Sequence, residues 1–184
     1  MKTLIVVDCQ NDFITGSLAC QNALTAVQNI IDYINNNDVF VIYSCDWHSP
    51  TNKSFKEFGG IWPRHCVQDS FGSKIHEDFY EKIKDIKNRP NETNVFYKGI
   101  NDDVEEYSAV KATNKAGLIV EDIVTDEILV GGLATEYCVK ETVLALKETH
   151  NVKVIENCLG FVNKEDHDKT IREFENRDLV AKNL

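Results

Sequence analysis

Cys138 lies in the run Gly131-Gly132-Leu133-Ala134-Thr135-Glu136-Tyr137-Cys138-Val139, where the apolar residues 128–130 lead through a glycine-marked turn into a helical stretch. That placement predicts a sulfur at a helix N-terminus. Unpaired N–H groups there favour the thiolate, lower a thiol from about 8.5 toward neutrality, and can also bind an oxyanion. A lone helical cysteine is otherwise a small buried hydrophobe, but this one has company. Asp8, Asp46 and Lys98 each close a short apolar run, at 4–7, 39–43 and 95–97. An aspartate in such a place is often only a turn residue, and a lysine only a surface charge. Together, however, the residues supply a thiol to attack, a carboxylate to take its proton and pass it to a leaving group, and an ammonium to hold the two. No histidine stands out as a free base, which favours Asp8 for that role.

A second set follows Asp46 directly. Asp46 and His48 are two apart, and His65 sits in Trp62-Pro63-Arg64-His65-Cys66. Loop histidines are commonly just exposed or locally hydrogen-bonded. Three potential ligands in one loop after a strand nevertheless make a mixed nitrogen and oxygen site suited to Zn²⁺, Fe²⁺ or Mn²⁺. The loop itself, residues 46–74, has no periodicity and carries Pro50, Gly59-Gly60, Pro63 and Gly72. Unstructured loops of that length in compact domains are usually functional.

The elements that must position these residues are legible from patterning. Continuous apolar runs at 4–7, 39–43, 95–97, 128–130 and 152–155 read as strands buried on both faces. Helix-period segments lie between most of them: 23–36 (Val27, Ile30, Ile31, Ile34), 77–86 (Phe79, Tyr80, Ile83, Ile86) and 137–147 (Val139, Val143, Leu146). Residues 109–124 predict a loop with one short helix, and 164–174 a final helix with a polar tail behind it. Alternating strands and helices imply an α/β protein, a mainly parallel central sheet between helical layers. In such sheets ligands bind beyond the carboxyl ends of the strands, where Asp8, Asp46, Lys98 and Cys138 all fall. No repeat or linker divides the chain, so residues 1–184 read as one domain.

Composition excludes several functions. The net charge is −10, with no lysine or arginine cluster, so nucleic acid and anionic membranes are not expected partners. The apolar start is too short for a signal-peptide core and no stretch reaches spanning length, which predicts a cytoplasmic protein. Six cysteines are scattered without CxxC pairs, so reduced thiols are expected rather than disulfides, with Cys9, Cys45 and Cys158 in the core.

These residues together resemble the nicotinamidase/pyrazinamidase branch of the isochorismatase-like cysteine hydrolases. The resemblance runs over nearly the whole chain, in order: Val7-Asp8-Cys9-Gln10-Asn11-Asp12-Phe13 with Gly16-Ser17-Leu18, Asp46-Trp47-His48, Ser54-Phe55, Trp62-Pro63-Arg64-His65-Cys66-Val67, Lys98-Gly99, Tyr107-Ser108, and the segment ending in Cys138-Val139. It implies a three-layer α/β/α sandwich, the isochorismatase-like hydrolase fold. It implies Cys138 as nucleophile, Asp8 as general acid/base and Lys98 as the group that orients both. It also implies an oxyanion hole from the N–H groups of Ala134 and Cys138, and a cis peptide between Leu133 and Ala134. Phe13, Trp62, Leu133 and Tyr107 would contact substrate. Asp46, His48 and His65 would hold one divalent ion, foremost zinc, with iron or manganese as alternatives. Where many relatives carry a further histidine this chain has Asn52, and Glu57 is a candidate replacement ligand, with water the other. Ala109-Val110 replaces a more usual Gly-Phe.

The activity implied is hydrolysis of nicotinamide to nicotinate and ammonia through a cysteine thioester, extending to pyrazinamide and serving nicotinamide salvage toward NAD. The partner is then nicotinamide or a similar small heteroaromatic amide, with a homo-oligomer left open. Two other readings use the same residues: another isochorismatase-like amidase that needs no metal, or a noncatalytic metal-binding or thiol redox protein. The last leaves the coincidence of Asp8 and Lys98 unexplained.

Overall fold

The computed structural model describes residues 1–182; residues 183–184, the end of the expected domain and tail, lie outside the described residues. Five strands form one parallel sheet in the order β3-β2-β1-β4-β5: β1 (Lys2–Val7), β2 (Val39–Asp46), β3 (Val95–Lys98), β4 (Glu127–Gly132) and β5 (Asn151–Leu159). Leu4, Ile5, Val6 and Val7 are all fully buried, because β1 is the central strand and its side chains alternate between two cores. Leu4 and Val6 pack toward α2 (Ala23–Asn36), whose Val27, Ile30, Ile31 and Ile34 recur at helical spacing. Ile5 and Val7 point the other way, toward Val143 and Leu146 of α5 (Lys140–Leu146) and Phe174 of α6 (Lys164–Asn176). Asn163 caps α6 by accepting from the N–H groups of Glu165 and Asp166. The result is the expected α/β/α layering.

Three elements differ from the sequence reading. The helix expected over 77–86 is a single turn, α3 (Asp78–Glu81), followed by a 3₁₀ turn at Ile86–Asn88. Only Phe79 and Ile83 of its apolar stripe are buried, and the Asp85 carboxylate accepts from Lys87 N–H to start the new turn, so little packing sustains a longer helix. The segment expected over 137–147 begins earlier, as a π-helical turn at Thr135–Val139 that continues into α5. The tail behind α6 is not simply polar. Leu179 and Val180 are buried, and Val154 exchanges backbone hydrogen bonds with Leu179 and Ala181 at 2.8 and 2.9 Å. The open edge of β5 is thereby paired, which satisfies donors and acceptors that would otherwise face water.

Two one-turn helices complete the chain, α1 (Asn11–Ile14) and α4 (Val120–Ile123), the latter the short helix expected in 109–124. Beyond Asp46, the last residue of β2, the 46–74 segment holds a 3₁₀ turn at Lys56–Phe58 and isolated bridges between His48 and Val67 and between Phe55 and Trp62. All six cysteines are unpaired and buried. No helix among the described residues is long and apolar enough to cross a membrane.

Candidate active site

Parallel register brings the strand ends together. Val7 pairs with Ser44 and with Gly132, and Asp46 pairs with Lys98, so the residues that follow β1, β2, β3 and β4 emerge on one edge. Asp8 leaves β1 with φ of 49°, a left-handed conformation that aspartate tolerates better than most residues. This turns its carboxylate into the sheet edge, where it is fully buried. Ser44 Oγ donates to Asp8 Oδ1 at 2.7 Å, and Lys98 Nζ lies 2.9 Å from Oδ2.

Lys98 is the hub. Its buried ammonium also contacts an Asp46 carboxylate oxygen, the Glu106 carbonyl at 3.3 Å and Cys138 Sγ at 3.5 Å. Ligand atoms of Asp8, Asp46 and Cys138 all lie within 4.8 Å of one another. Burial opposes the lysine charge, but Asp46 and Asp8 outweigh it and hold the ammonium well above its ordinary range. Burial raises the Asp8 carboxyl, an effect that Lys98 opposes and Asp46 reinforces. For Cys138 the outcome reverses the sequence expectation. Burial pushes the thiol well above its usual value, Lys98 pulls it down, and Asp8 and Asp46 push it further up. The helix terminus does not win, because a desolvated sulfur beside two carboxylates is costly to ionise. Burial and the two neighbouring carboxylates therefore favour the thiol over the thiolate at Cys138.

Cys138 is in the π turn, with the Ala134 carbonyl accepting from both Tyr137 and Val139 N–H groups. The Leu133–Ala134 peptide is cis. Gly132 precedes it at φ of 127°, with Val7 backbone packed where a Cβ would stand.

Asp46 joins this set to a second one. Its other oxygen lies 3.5 Å from His48 Nε2 and 3.8 Å from His65 Nε2, and the three ligand atoms are within 4.8 Å of one another. Both imidazoles are fixed from behind: His48 Nδ1 bonds the Gly99 carbonyl and His65 Nδ1 the Pro63 carbonyl, each at 2.8 Å. Two Nε2 atoms and a carboxylate oxygen therefore converge, with each Nδ1–H engaged by a backbone acceptor, as in oriented metal ligands. Phe55 packs edge-on against both rings. Burial raises the Asp46 carboxyl, but Lys98 and the two histidines more than reverse this and hold it well below its ordinary range. The donor set fits a divalent cation with nitrogen and oxygen preference.

Glu57 is not part of it. Its exposed carboxylate pairs with Arg64 at 2.5 Å, on the solvent side of the loop. Asn52 is buried, but its amide donates toward the Gly99 carbonyl and Asp102, and its oxygen accepts from Ser54 N–H. Asn52 braces the loop and is not among the converging ligand atoms of Asp46, His48 and His65. Neither residue supplies a fourth protein ligand here.

Phe13, Trp62 and Tyr107 wall a narrow cleft that reaches Cys138, Asp46 and His65. Trp62 Nε1 donates to Tyr107 Oη at 3.1 Å. Leu133, expected to contact substrate, is fully buried in the hydrophobic core and is not among the residues lining the cleft. Ala134 lines the cleft instead. A larger groove, of about 720 Å³ behind Trp47 and Tyr97, contains none of the reactive set.

Three residues of the site had no assigned role in the sequence. Tyr137 packs edge-on against Trp62, with ring centroids 4.9 Å apart; its only signal was adjacency to Cys138. Buried Gln10 accepts from Asp46 N–H and donates to the Asp46 and Ser73 carbonyls, all at 2.8 Å. A polar residue directly after a buried strand was the available clue. Glu105 lies on the cleft wall, hidden in the acidic stretch Asp102-Asp103-Val104-Glu105-Glu106, which reads as a solvated loop.

With this geometry in view, known proteins give a consistent picture. The chain is 34% identical to the nicotinamidase of Escherichia coli (strain K12), over 86% of this chain and 83% of the relative. Its fold superimposes on the pyrazinamidase of Pyrococcus horikoshii in complex with zinc at a TM-score of 0.81, with 29% identity, covering 100% of this chain and 99% of the other. A structure of PnC1 from L. infantum in complex with nicotinate matches at a TM-score of 0.82 and 25% identity, over 98% and 91% of the two chains. The family model described as the isochorismatase domain matches residues 2–181. The chain belongs to the isochorismatase-domain family.

Proposed function

We propose that this protein is a metal-dependent nicotinamidase, hydrolysing nicotinamide to nicotinate and ammonia and accepting pyrazinamide as a close isostere. The observation that carries this is the shared carboxylate of Asp46, which contacts Lys98 with one oxygen and faces His48 and His65 with the other. A nucleophile site and an ion site are thus fused through one residue. Asp46, His48 and His65 would hold the divalent ion, zinc in this reading, which when bound supplies a Lewis-acid anchor for a pyridine nitrogen.

The chain's own residues perform the rest. Phe13, Trp62 and Tyr137 hold a flat ring against the cleft walls, with the carboxamide carbon toward Cys138. Asp8 takes the thiol proton as sulfur attacks, which a carboxyl held above its ordinary range by burial does more readily than a normal one. Lys98 keeps Asp8 and the sulfur in register and offsets the negative charge as it develops. The N–H groups of Ala134 and Cys138 take the oxyanion. Asp8 then protonates the departing ammonia, leaving a Cys138 thioester, and activates the water that hydrolyses it. The same reading takes the whole chain as one hydrolase domain.

Ammonia release from nicotinamide tests this, measured for wild type, for Cys138→Ala, and for protein stripped of metal and reloaded. Turnover lost in the second and third and restored by a divalent ion is the expected result. A folded, metal-loaded wild type that releases no ammonia would overturn the assignment, and turnover that survives Cys138→Ala would remove the nucleophile.

A further inference from the structure

Reaction in this cleft converts a neutral carboxamide into an anionic carboxylate of nearly the same shape, so shape alone cannot separate substrate from product. Charge can. Asp8, Asp46 and Lys98 together carry one negative charge, and a divalent ion on Asp46, His48 and His65 would reverse this to one positive charge. A cleft of that sign retains an anion.

Glu105 is placed to correct it. It lines the cleft beside Asp46, His65, Tyr107 and Cys138. Its neighbours fix its position: the Glu106 carboxylate accepts from Gly99 N–H at 2.8 Å, the Glu106 carbonyl accepts from Lys98 Nζ at 3.3 Å, and Tyr107 accepts from Trp62 at 3.1 Å. The acidic residues just before it are engaged, Asp102 by Ser49 and Asp103 by Lys53. Glu105 has no hydrogen-bond or ion-pair partner among the described residues. Glu105 is exposed to solvent while lining the cleft; partial burial and Asp46 raise its carboxyl, and His48, His65 and Lys98 lower it.

Resting on the nicotinamidase reading, we infer that Glu105 is a specificity-determining residue, whose carboxylate cancels the excess positive charge of the loaded cleft and so disfavours the carboxylate product against the neutral amide. Glu105 lies outside both clusters of converging ligand atoms, Asp46-His48-His65 and Asp8-Asp46-Cys138; it acts on what the cleft retains.

The test compares metal-loaded wild type, Glu105→Gln and Glu105→Asp. The readouts are KM for nicotinamide, the inhibition constant of nicotinate, and bound metal per chain. Glu105→Gln should bind nicotinate on the order of tenfold more tightly, as expected for one charge removed across a partly solvated cleft. KM for the amide should stay within about twofold, since a neutral ligand feels little of that charge. Added salt should narrow the difference, and Glu105→Asp should restore the wild-type value. Unchanged nicotinate inhibition, or equal shifts for amide and acid, would overturn the inference while wild-type turnover leaves the enzyme assignment standing. Loss of bound metal in Glu105→Gln would also overturn it, by making Glu105 a ligand. A wild type that releases no ammonia would remove the substrate assignment and this inference with it.

Discussion

His48 and Gly99 meet at 2.8 Å, imidazole Nδ1 to backbone carbonyl, so one of the two converging histidines rests on the residue next to Lys98. Gly99 has φ of 67°, and the space a Cβ would need is filled by the His48 ring. Only glycine satisfies both constraints. The Asp46-His48-His65 cluster and the Asp8-Lys98-Cys138 cluster are thereby joined twice, through Asp46 and through Gly99.

Gly99→Ala is expected to push His48 off its carbonyl partner and weaken divalent-metal binding by roughly 10–100-fold, the usual range for losing the orienting contact of a metal histidine. Competition with a chromophoric chelator measures this. An unchanged affinity would show that the His48 orientation is set elsewhere.

Lys98→Met would leave the carboxylates of Asp8 and Asp46 buried side by side without a cation. A loss of about 3–5 kcal/mol in urea unfolding is expected, from removing one partner of a buried ion cluster. Ammonia release should fall with it by at least about a hundredfold. Retained stability with activity lost would mean that one of the two acids becomes neutral at no cost.

Gln10→Leu keeps the volume but removes all three hydrogen bonds that Gln10 makes to Asp46 and Ser73. Buried backbone groups left unpaired cost about 1–3 kcal/mol each, so a clear fall in thermal midpoint is expected, together with weaker metal retention because the Asp46 backbone is released. A thermal midpoint and a metal affinity equal to wild type would show that Gln10 holds nothing in place.

Alkaline pH should destabilise the fold, and the sign follows from the thiols. Burial raises all six, Cys20 and Cys158 to about 12 and the other four well above their ordinary 9.0. An unfolded chain loses these protons from about pH 9 upward while the native state keeps them, so the unfolded state binds fewer protons and stability falls as pH rises. The contribution is complete below pH 9 and is lost through about pH 12 for Cys20 and Cys158. Urea unfolding under reducing conditions at stepped pH reads this directly. A flat profile above pH 9 would contradict the burial argument, as would rapid labelling of Cys138 by iodoacetamide at neutral pH.

Much of the architecture was written in local patterning. The strand runs at 4–7 and 128–130 are continuous and apolar because both faces of a central strand are buried, and the stripe on 23–36 is helical because only one face of α2 meets the sheet. The stripe on 77–86 misled: Ile86 has the right spacing, but nothing in the tertiary structure covers it, and it is 75% exposed. Leu179 and Val180 misled in the opposite sense, two apolar residues in a polar tail whose burial depends on the free edge of β5.

The sequence by itself determined which side chains could do chemistry and that parallel strands would deliver them to one edge, since residue type and hydrophobic period are local properties of the chain. Tertiary structure alone decided their charge states and their partners. The Cys138 thiol is raised first because the fold buries it, and further because Asp8 and Asp46 arrive beside it from other strands. Glu57 turns to Arg64 and away from the histidines, and Glu105 enters the cleft because its neighbours are tied to Lys98 and Trp62. Desolvation and through-space charge depend on which groups meet across the sheet, and no local pattern in the chain carries that information.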